Sequence, residues 1–236
     1  MSLLALDTAT ATASIAVYRP QDDTVLAELT WLARRRHTQD VGAAIERVLS
    51  LADITPDAIS AFAVTTGPGS FTGVRIAISL VKGLGIGLPK EASVVGVPTL
   101  NVVAAPWISV AAGLAPKPLV VAFLQAGRGR VNWALFDGEM PTKRLTAEHH
   151  KQGSEADMID ALRKVSESTG RLVWLVGESS PDLKSICGNA GSWLTLIPNA
   201  DGLRRSAVLA RVAADLLSGG EADEWSQLEP LYLNAI

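Results

Sequence analysis

Gly67-Pro68-Gly69-Ser70-Phe71-Thr72-Gly73-Val74-Arg75 is the stretch on which the reading of this chain turns. A short apolar β-type run, Ala61 to Thr66, leads into it, and an apolar stretch, Ile76 to Ile86, leaves it. The order is strand, glycine-rich turn, helix N-terminus. Unpaired N–H groups and the positive end of the helix macrodipole sit at such a point, and glycines let an anion or another backbone come close. The loop is therefore either a phosphate cradle or a structural corner. Its spacing fits neither nucleotide template. No Gly-Lys-Ser/Thr closes it, and Gly67, Gly69 and Gly73 do not follow Gly-x-Gly-x-x-Gly.

Behind the loop, the pattern predicts a helix over Thr72–Gly87. Gly73, Ala77, Val81 and Leu84 line one side of it and Val74, Ile78 and Gly85 another, with only Arg75, Ser79 and Lys82 polar. A helix apolar nearly all round is covered on both sides. The cover is either its own lobe or a partner protein. Ahead of the loop, strands are expected at Leu3–Asp7, Ala13–Tyr18 and Thr24–Leu32, the last two joined by the turn formers Arg19 to Asp23. A helix begins near Gln39, with Thr38 or Asp40 as its cap and Val41, Ile45, Val48, Leu49 and Ala52 on one face. A strand at Ser93–Val97 and a helix at Thr99–Ala112 follow; Pro106 should kink or break that helix.

Two prolines in Ala115-Pro116-Lys117-Pro118 mark a boundary, predicting domains at 1–114 and 115–236. The second half reads as strands Leu119–Leu124, Val131–Phe136 and Thr142–Ala147, then a helix Glu155–Ser168 capped by Ser154. A strand Leu172–Val176, a short helix Pro181–Cys187, a strand Leu194–Ile197 and a last helix Ser206–Leu217 complete it. The terminal helix and the tail, whose end from Leu228 to Leu233 is apolar, should pack back onto the body. The order β-β-β-α-β-α thus occurs twice, the second copy degenerate, in an α/β chain. That is the lobe pattern of actin, Hsp70 and sugar kinases, an analogy at the level of fold.

Composition narrows the function classes. The chain has 236 residues, 48% hydrophobic, with mean hydropathy +0.24, which excludes disorder. Gly, Pro or charge interrupts each apolar run before it reaches a membrane span. The N-terminal Met1–Asp7 stretch reads as a first strand of a cytoplasmic protein and not as a signal peptide. A net charge of -3 argues against a surface that grips nucleic acid throughout. The one cysteine, Cys187, forms no internal disulfide.

The chemistry-bearing residues are few. Asp7, at the end of the first strand and followed by Thr8 and Thr10, faces a ligand crevice in an open α/β layout, or it closes an Asx turn. Asp7, Thr8, Gly69, Ser70 and Thr72 are the candidate anion or nucleotide contacts. Arg34-Arg35-Arg36-His37 is a short basic cluster, for RNA phosphate, an acidic partner or solvent. His37 has Val41 four residues on, so no His-x-x-x-His metal pair exists; His149 and His150 are adjacent and diverge. Ser70 is not in a Gly-x-Ser-x-Gly elbow, which leaves no hydrolytic triad. Neither a catalytic residue nor a metal ligand is assigned.

Leu3 to Thr10, the His37 segment, Gly67 to Ile76 and Lys82-Gly83-Leu84 together resemble the bacterial TsaB (YeaZ) family, strongly in the N-terminal half and weakly through Val131–Phe136 and Pro230 to Leu233. The resemblance implies a two-lobed, ribonuclease H-like fold of the actin-like ATPase superfamily. It implies a non-catalytic subunit needed for N6-threonylcarbamoyladenosine formation in tRNA, paired through first-lobe helices with a TsaD-type transferase. A TsaE-type ATPase joins that complex, a homodimer forms when the protein is alone, and tRNA is met only indirectly. ATP or ADP and a metal are then expected on the partner or at the shared interface, and none on this chain alone. The candidate interface is Gly73, Val74, Ala77, Ile78, Val81 and Leu84 with Val41 and Ile45, so that Ala77→Arg or Leu84→Asp should abolish pairing with the fold intact. Family members often carry Asp-Ala-Arg where Gln125-Ala126-Gly127 stands here, and Arg where Asn234 stands. The rival reading is an independent ATP-dependent phosphotransferase or hydrolase of the same superfamily, with Asp7 at its Mg-ATP.

Overall fold

Leu3-Leu4-Ala5-Leu6 is apolar without alternation because its strand is covered on both faces. In the computed structural model, which describes residues 1–33, 37–127, 129–138 and 143–233, these four are at most 1% exposed. They lie in β1 (Ser2–Asp7), the centre of a five-stranded sheet. β2 (Thr12–Arg19) and β3 (Thr24–Leu32) continue it as an antiparallel meander, and β4 (Ile59–Gly67) and β5 (Ser93–Pro98) add parallel strands on the other side. The order is β3-β2-β1-β4-β5. Strands buried on both faces read as continuous apolar runs.

Leu4 and Leu6 share a core with α1 (His37–Ala52) and α2 (Phe71–Gly87). Leu3 and Ala5 point the opposite way by strand alternation, and the last helix, α6 (Ser206–Ser218), packs against β1 and β2. α3 (Thr99–Ala112) runs as one helix through Pro106, so the expected break does not occur. Leu100, Val102, Val103, Ala104, Ala105, Ile108 and Ala111 are buried along it, and that burial outweighs the missing donor at Pro106.

The second sheet repeats the first. β6 (Leu119–Gly127), β7 (Arg130–Phe136) and β8 (Lys151–Ser154) form the antiparallel meander, while β9 (Val173–Gly177) and β10 (Leu194–Leu196) extend it in parallel. The order β10-β9-β6-β7-β8 is that of the first sheet with each strand replaced by its repeat. α4 (Glu155–Thr169) and α5 (Pro181–Gly188) supply the helices, and Met158, Ile159, Leu162, Leu183 and Cys187 face the core. Ser154 caps α4 as expected, its hydroxyl accepting from Asp157 N at 3.1 Å.

The third strand of this repeat lies later than the sequence pattern places it. Thr142 is outside the described residues; residues 143–146 form no strand, and a 3-10 turn spans Ala147–His149. Thr146 caps that turn, with His149 Nδ1 accepting from Thr146 N at 3.1 Å. β8 itself, Lys-Gln-Gly-Ser, has no apolar residue to mark it. It is held by backbone pairing to β7 and by Gly153, where the ring of Trp133 comes so near that a Cβ would lie 3.2 Å from it.

Two compact units result: Met1–Val102 with Arg204–Tyr232, and Val103–Leu203 with the chain end from Leu233. The sequence expectation was 1–114 and 115–236. The units instead divide inside α3; α6 and the tail, expected to pack back, group with the first unit.

Candidate functional site

In the first unit β1 and β4 run parallel, so Asp7 and Gly67 end at the same edge of the sheet. The Asp7 carboxylate is 1% exposed and fully engaged. Oδ1 accepts from Ala9 N at 2.8 Å, which is the Asx turn, and from the Thr65 hydroxyl at 3.1 Å. Oδ2 accepts from Arg204 Nε at 2.8 Å. The Arg204 side chain is itself 2% exposed, and its Nη2 donates to Thr10 Oγ1 at 2.9 Å and to Thr12 O at 3.3 Å. A buried guanidinium therefore neutralises the one carboxylate that a metal–nucleotide complex would need.

The start of α6 is what carries Arg204 to this place. Ser206 N donates to Ser14 Oγ at 2.8 Å and Ala207 N to Glu28 Oε1 at 2.9 Å, while Arg205 pairs with Glu28. Side chains of β2 and β3 thus cap the helix, and a carboxylate meets its positive end.

The glycine loop packs on the same turn. Ser70 N donates to Ala9 O at 2.6 Å, and the Thr8 hydroxyl donates to Gly73 O at 2.6 Å. The Ser70 hydroxyl accepts from Gly73 N at 3.2 Å, capping α2. A Cβ on Gly69 would stand 2.3 Å from Ala9 O, and one on Gly73 2.0 Å from Thr8 O. These glycines make room for backbone, not for phosphate. The structure brings Asp7, Thr8, Gly69 and Ser70 together as the sequence suggests, with Thr72 exposed beside them on α2, yet their polar groups are spent on one another. Among the described residues no group of three or more His, Cys, Asp or Glu side chains is placed to hold a metal. The residues present do not fit Mg-ATP.

The proposed partner face needs a larger correction. Gly73, Val74, Ala77, Ile78, Val81, Val41 and Ile45 are buried, and Leu84 packs against the same core. Ala77 is 0% exposed, so Ala77→Arg would break the fold and could not test an interface. The apolar character of α2 is spent on its own lobe and on the tail. Trp225 meets Phe62 edge-on at 5.8 Å, covers Gly85 and donates to Ala92 O at 3.0 Å. Leu228 is buried as the expected fold-back requires, and Leu231 N donates to Thr66 O at 2.7 Å.

What α1 and α2 leave in solvent is different, and includes Gly42, Ala43, Glu46 and Arg47 on the first and Phe71, Arg75, Ser79, Gly83 and Ile86 on the second. Ile86 is 87% exposed and Phe71 60%. The Arg75 guanidinium lies 3.8 Å from the Phe71 ring centre and donates to the Tyr232 hydroxyl at 2.6 Å. Gly42 and Gly83 have open space where a Cβ would be. Arg34, Arg35 and Arg36 lie outside the described residues, as do Arg128 and Asn234.

In the second unit Gln125 Nε2 donates to Glu155 Oε1 at 2.9 Å, a structural use of the hairpin. Burial, with the nearby Glu155 carboxylate, pushes the Cys187 thiol up to about 11. Arg204 is the residue that sequence reasoning missed, since nothing in Gly202-Leu203-Arg204-Arg205 marks it for Asp7.

The family model for TsaD, tRNA N6-adenosine threonylcarbamoyltransferase, matches residues 31–161. The tRNA threonylcarbamoyladenosine biosynthesis protein TsaB of Escherichia coli K12 is 38% identical over 137 residues, 58% of this chain and 55% of that one. The chain thus spans about half the length of this curated relative. A solved Pseudomonas aeruginosa protein, described as similar to peptidase YeaZ, superposes with TM-score 0.73 at 23% identity, covering 99% of each chain. The inorganic polyphosphate/ATP-glucomannokinase of Arthrobacter sp. strain KM gives 0.51 at 14%, covering 93% of this chain and 99% of that one. These two likenesses bear on fold, and they agree with two lobes of the actin-like, sugar-kinase type. With more than half its length inside the family model, the chain belongs to the family described as TsaD, tRNA N6-adenosine threonylcarbamoyltransferase, and it is similar to TsaB over the matched part.

Proposed function

We propose that the chain is a non-catalytic subunit in the formation of N6-threonylcarbamoyladenosine in cytoplasmic tRNA, acting as the heterodimer partner of a TsaD-type transferase. The observation that carries this reading is the Asp7–Arg204 pair. The carboxylate best placed to hold a metal–nucleotide complex is buried and neutralised from within the chain. ATP or ADP and its metal then belong to the partner or to a shared interface, a TsaE-type ATPase joins there, and tRNA is met through the partner. An independent ATP-dependent phosphotransferase would need that carboxylate open.

The partner surface is the exposed side of α1 and α2, where Gly42, Ser79 and Gly83 allow close helix approach and Ile86 offers apolar area. Alone, the chain pairs with a second copy through the same side. Mixed with the transferase of the same genome, it should elute as one complex. Ser79→Arg and Gly83→Arg should elute apart while melting no lower than the wild type. Co-elution that survives both changes would remove the assigned face, and no complex with the wild-type chain would remove the functional reading.

A further inference from the structure

Phe71, Arg75, Ser79 and Gly83 recur at every fourth position of α2 and so form one exposed ridge. Ser79 and Gly83 belong to the partner surface assigned above. Phe71 and Arg75 continue it, and they are held in an unusual pose for surface residues. Phe71 leaves 60% of its area in water, and the Arg75 guanidinium lies over its ring instead of trailing into solvent. The tail fixes that pose. Leu228 is buried and Leu231 N donates to Thr66 O, which delivers Tyr232 beside the first turns of α2. Arg75 Nε and Nη2 then donate to the Tyr232 hydroxyl at 3.1 and 2.6 Å, and the rings of Phe71 and Tyr232 stand 6.3 Å apart.

Holding a long cationic side chain still at the surface costs rotamer freedom. The charge itself meets no carboxylate among the described residues, and α2 carries Arg75 and Lys82 with no acid. Tyr232 occupies Nε and Nη2, which leaves Nη1 and the phenol's own O–H as donors with no acceptor among the described residues. Donors on one fixed cation suit a carboxylate. A guanidinium ordered in advance also lowers the cost of binding, and Arg and Tyr are residue types that dominate interface energies. A second copy supplies the carboxylate poorly. Where α2 docks on α2 about a two-fold axis, Arg75 and Lys82 meet their own equivalents.

We infer that Arg75, seated between Phe71 and Tyr232, is the anchor of the partner surface and receives a carboxylate of the transferase. This rests on the heterodimer reading above and adds to it the chemistry of the contact and a role for the tail.

The test is calorimetric titration of the full chain with the transferase of the same genome at low and at moderate salt, beside the melting temperature of each variant. Wild-type affinity should fall as salt rises. Arg75→Gln should weaken binding about tenfold or more at low salt and flatten the salt dependence. Tyr232→Phe, which keeps the ring and removes the hydroxyl, should weaken it several-fold. If Arg75→Gln binds as tightly as wild type and only melts lower, Arg75 is a tie for the tail and the anchor is refuted, while Ser79→Arg and Gly83→Arg still decide the face. If Arg75→Gln lowers the mass of the chain alone and not its affinity for the transferase, the occupant is a second copy and the inference falls. A wild-type chain that does not bind the transferase removes the heterodimer reading and the anchor together.

Discussion

Asp7 and Arg204 stand 197 positions apart in the chain and 2.8 Å apart in the fold. A buried pair is poor evidence of stability by itself, but breaking one strands a charge. Arg204→Met should therefore cost about 3–5 kcal/mol, while Asp7→Asn/Arg204→Met should recover most of the loss. Urea denaturation of the wild type, Arg204→Met and the double variant measures both, and a double variant no more stable than Arg204→Met would show that the pair carries no coupling. Tyr18 supplies a second residue-scale prediction. Burial, with a 2.6 Å hydrogen bond to Asp23, pushes its phenol up to about 12. The unfolded chain releases this proton near 10 and the native chain near 12, so the contribution is intact below pH 10 and drains as pH rises to about 12. Alkaline denaturation curves should steepen over that window, and Tyr18→Phe should flatten them.

Helix α2 carries most of what was legible at the level of elements. Its extent, within one residue, and its launch from a glycine corner follow from residue type and spacing, while its cap at Ser70, read from the sequence only as a candidate anion contact, came from the structure. The direction of its faces did not. An all-round apolar pattern says that a helix is covered, but not by what, and here the cover is its own sheet plus Trp225 from the tail. The glycines of α2 separate these roles. Gly73→Ala drives a methyl group into the Thr8 carbonyl and should cost about 1–3 kcal/mol. Gly83→Ala meets open space inside a helix and should add about 0.5–1 kcal/mol. Melting temperatures of the two variants should move in opposite directions. β8 was hidden for the opposite reason, since a four-residue polar edge strand is held mainly by backbone pairing and has no apolar pattern of its own.

Over the whole molecule, the duplicated sheet order is the plainest consequence of sequence, because strand and helix periodicities recur in the same succession. The return of residues 204–232 to the first unit is not. It makes the tail part of a core, so Trp225→Ala should cost about 3 kcal/mol, read as an earlier unfolding transition. Absence of that shift would mean that the tail is only draped over α2. The sequence by itself determined most of the elements, the glycine corner and the family resemblance, since each depends on neighbours within a few residues. Only the tertiary structure decided that Asp7 is closed by Arg204, that the suspected interface is core, and which side of α2 meets solvent. Those outcomes depend on contacts between distant segments, and local periodicity carries no record of which segment supplies the cover.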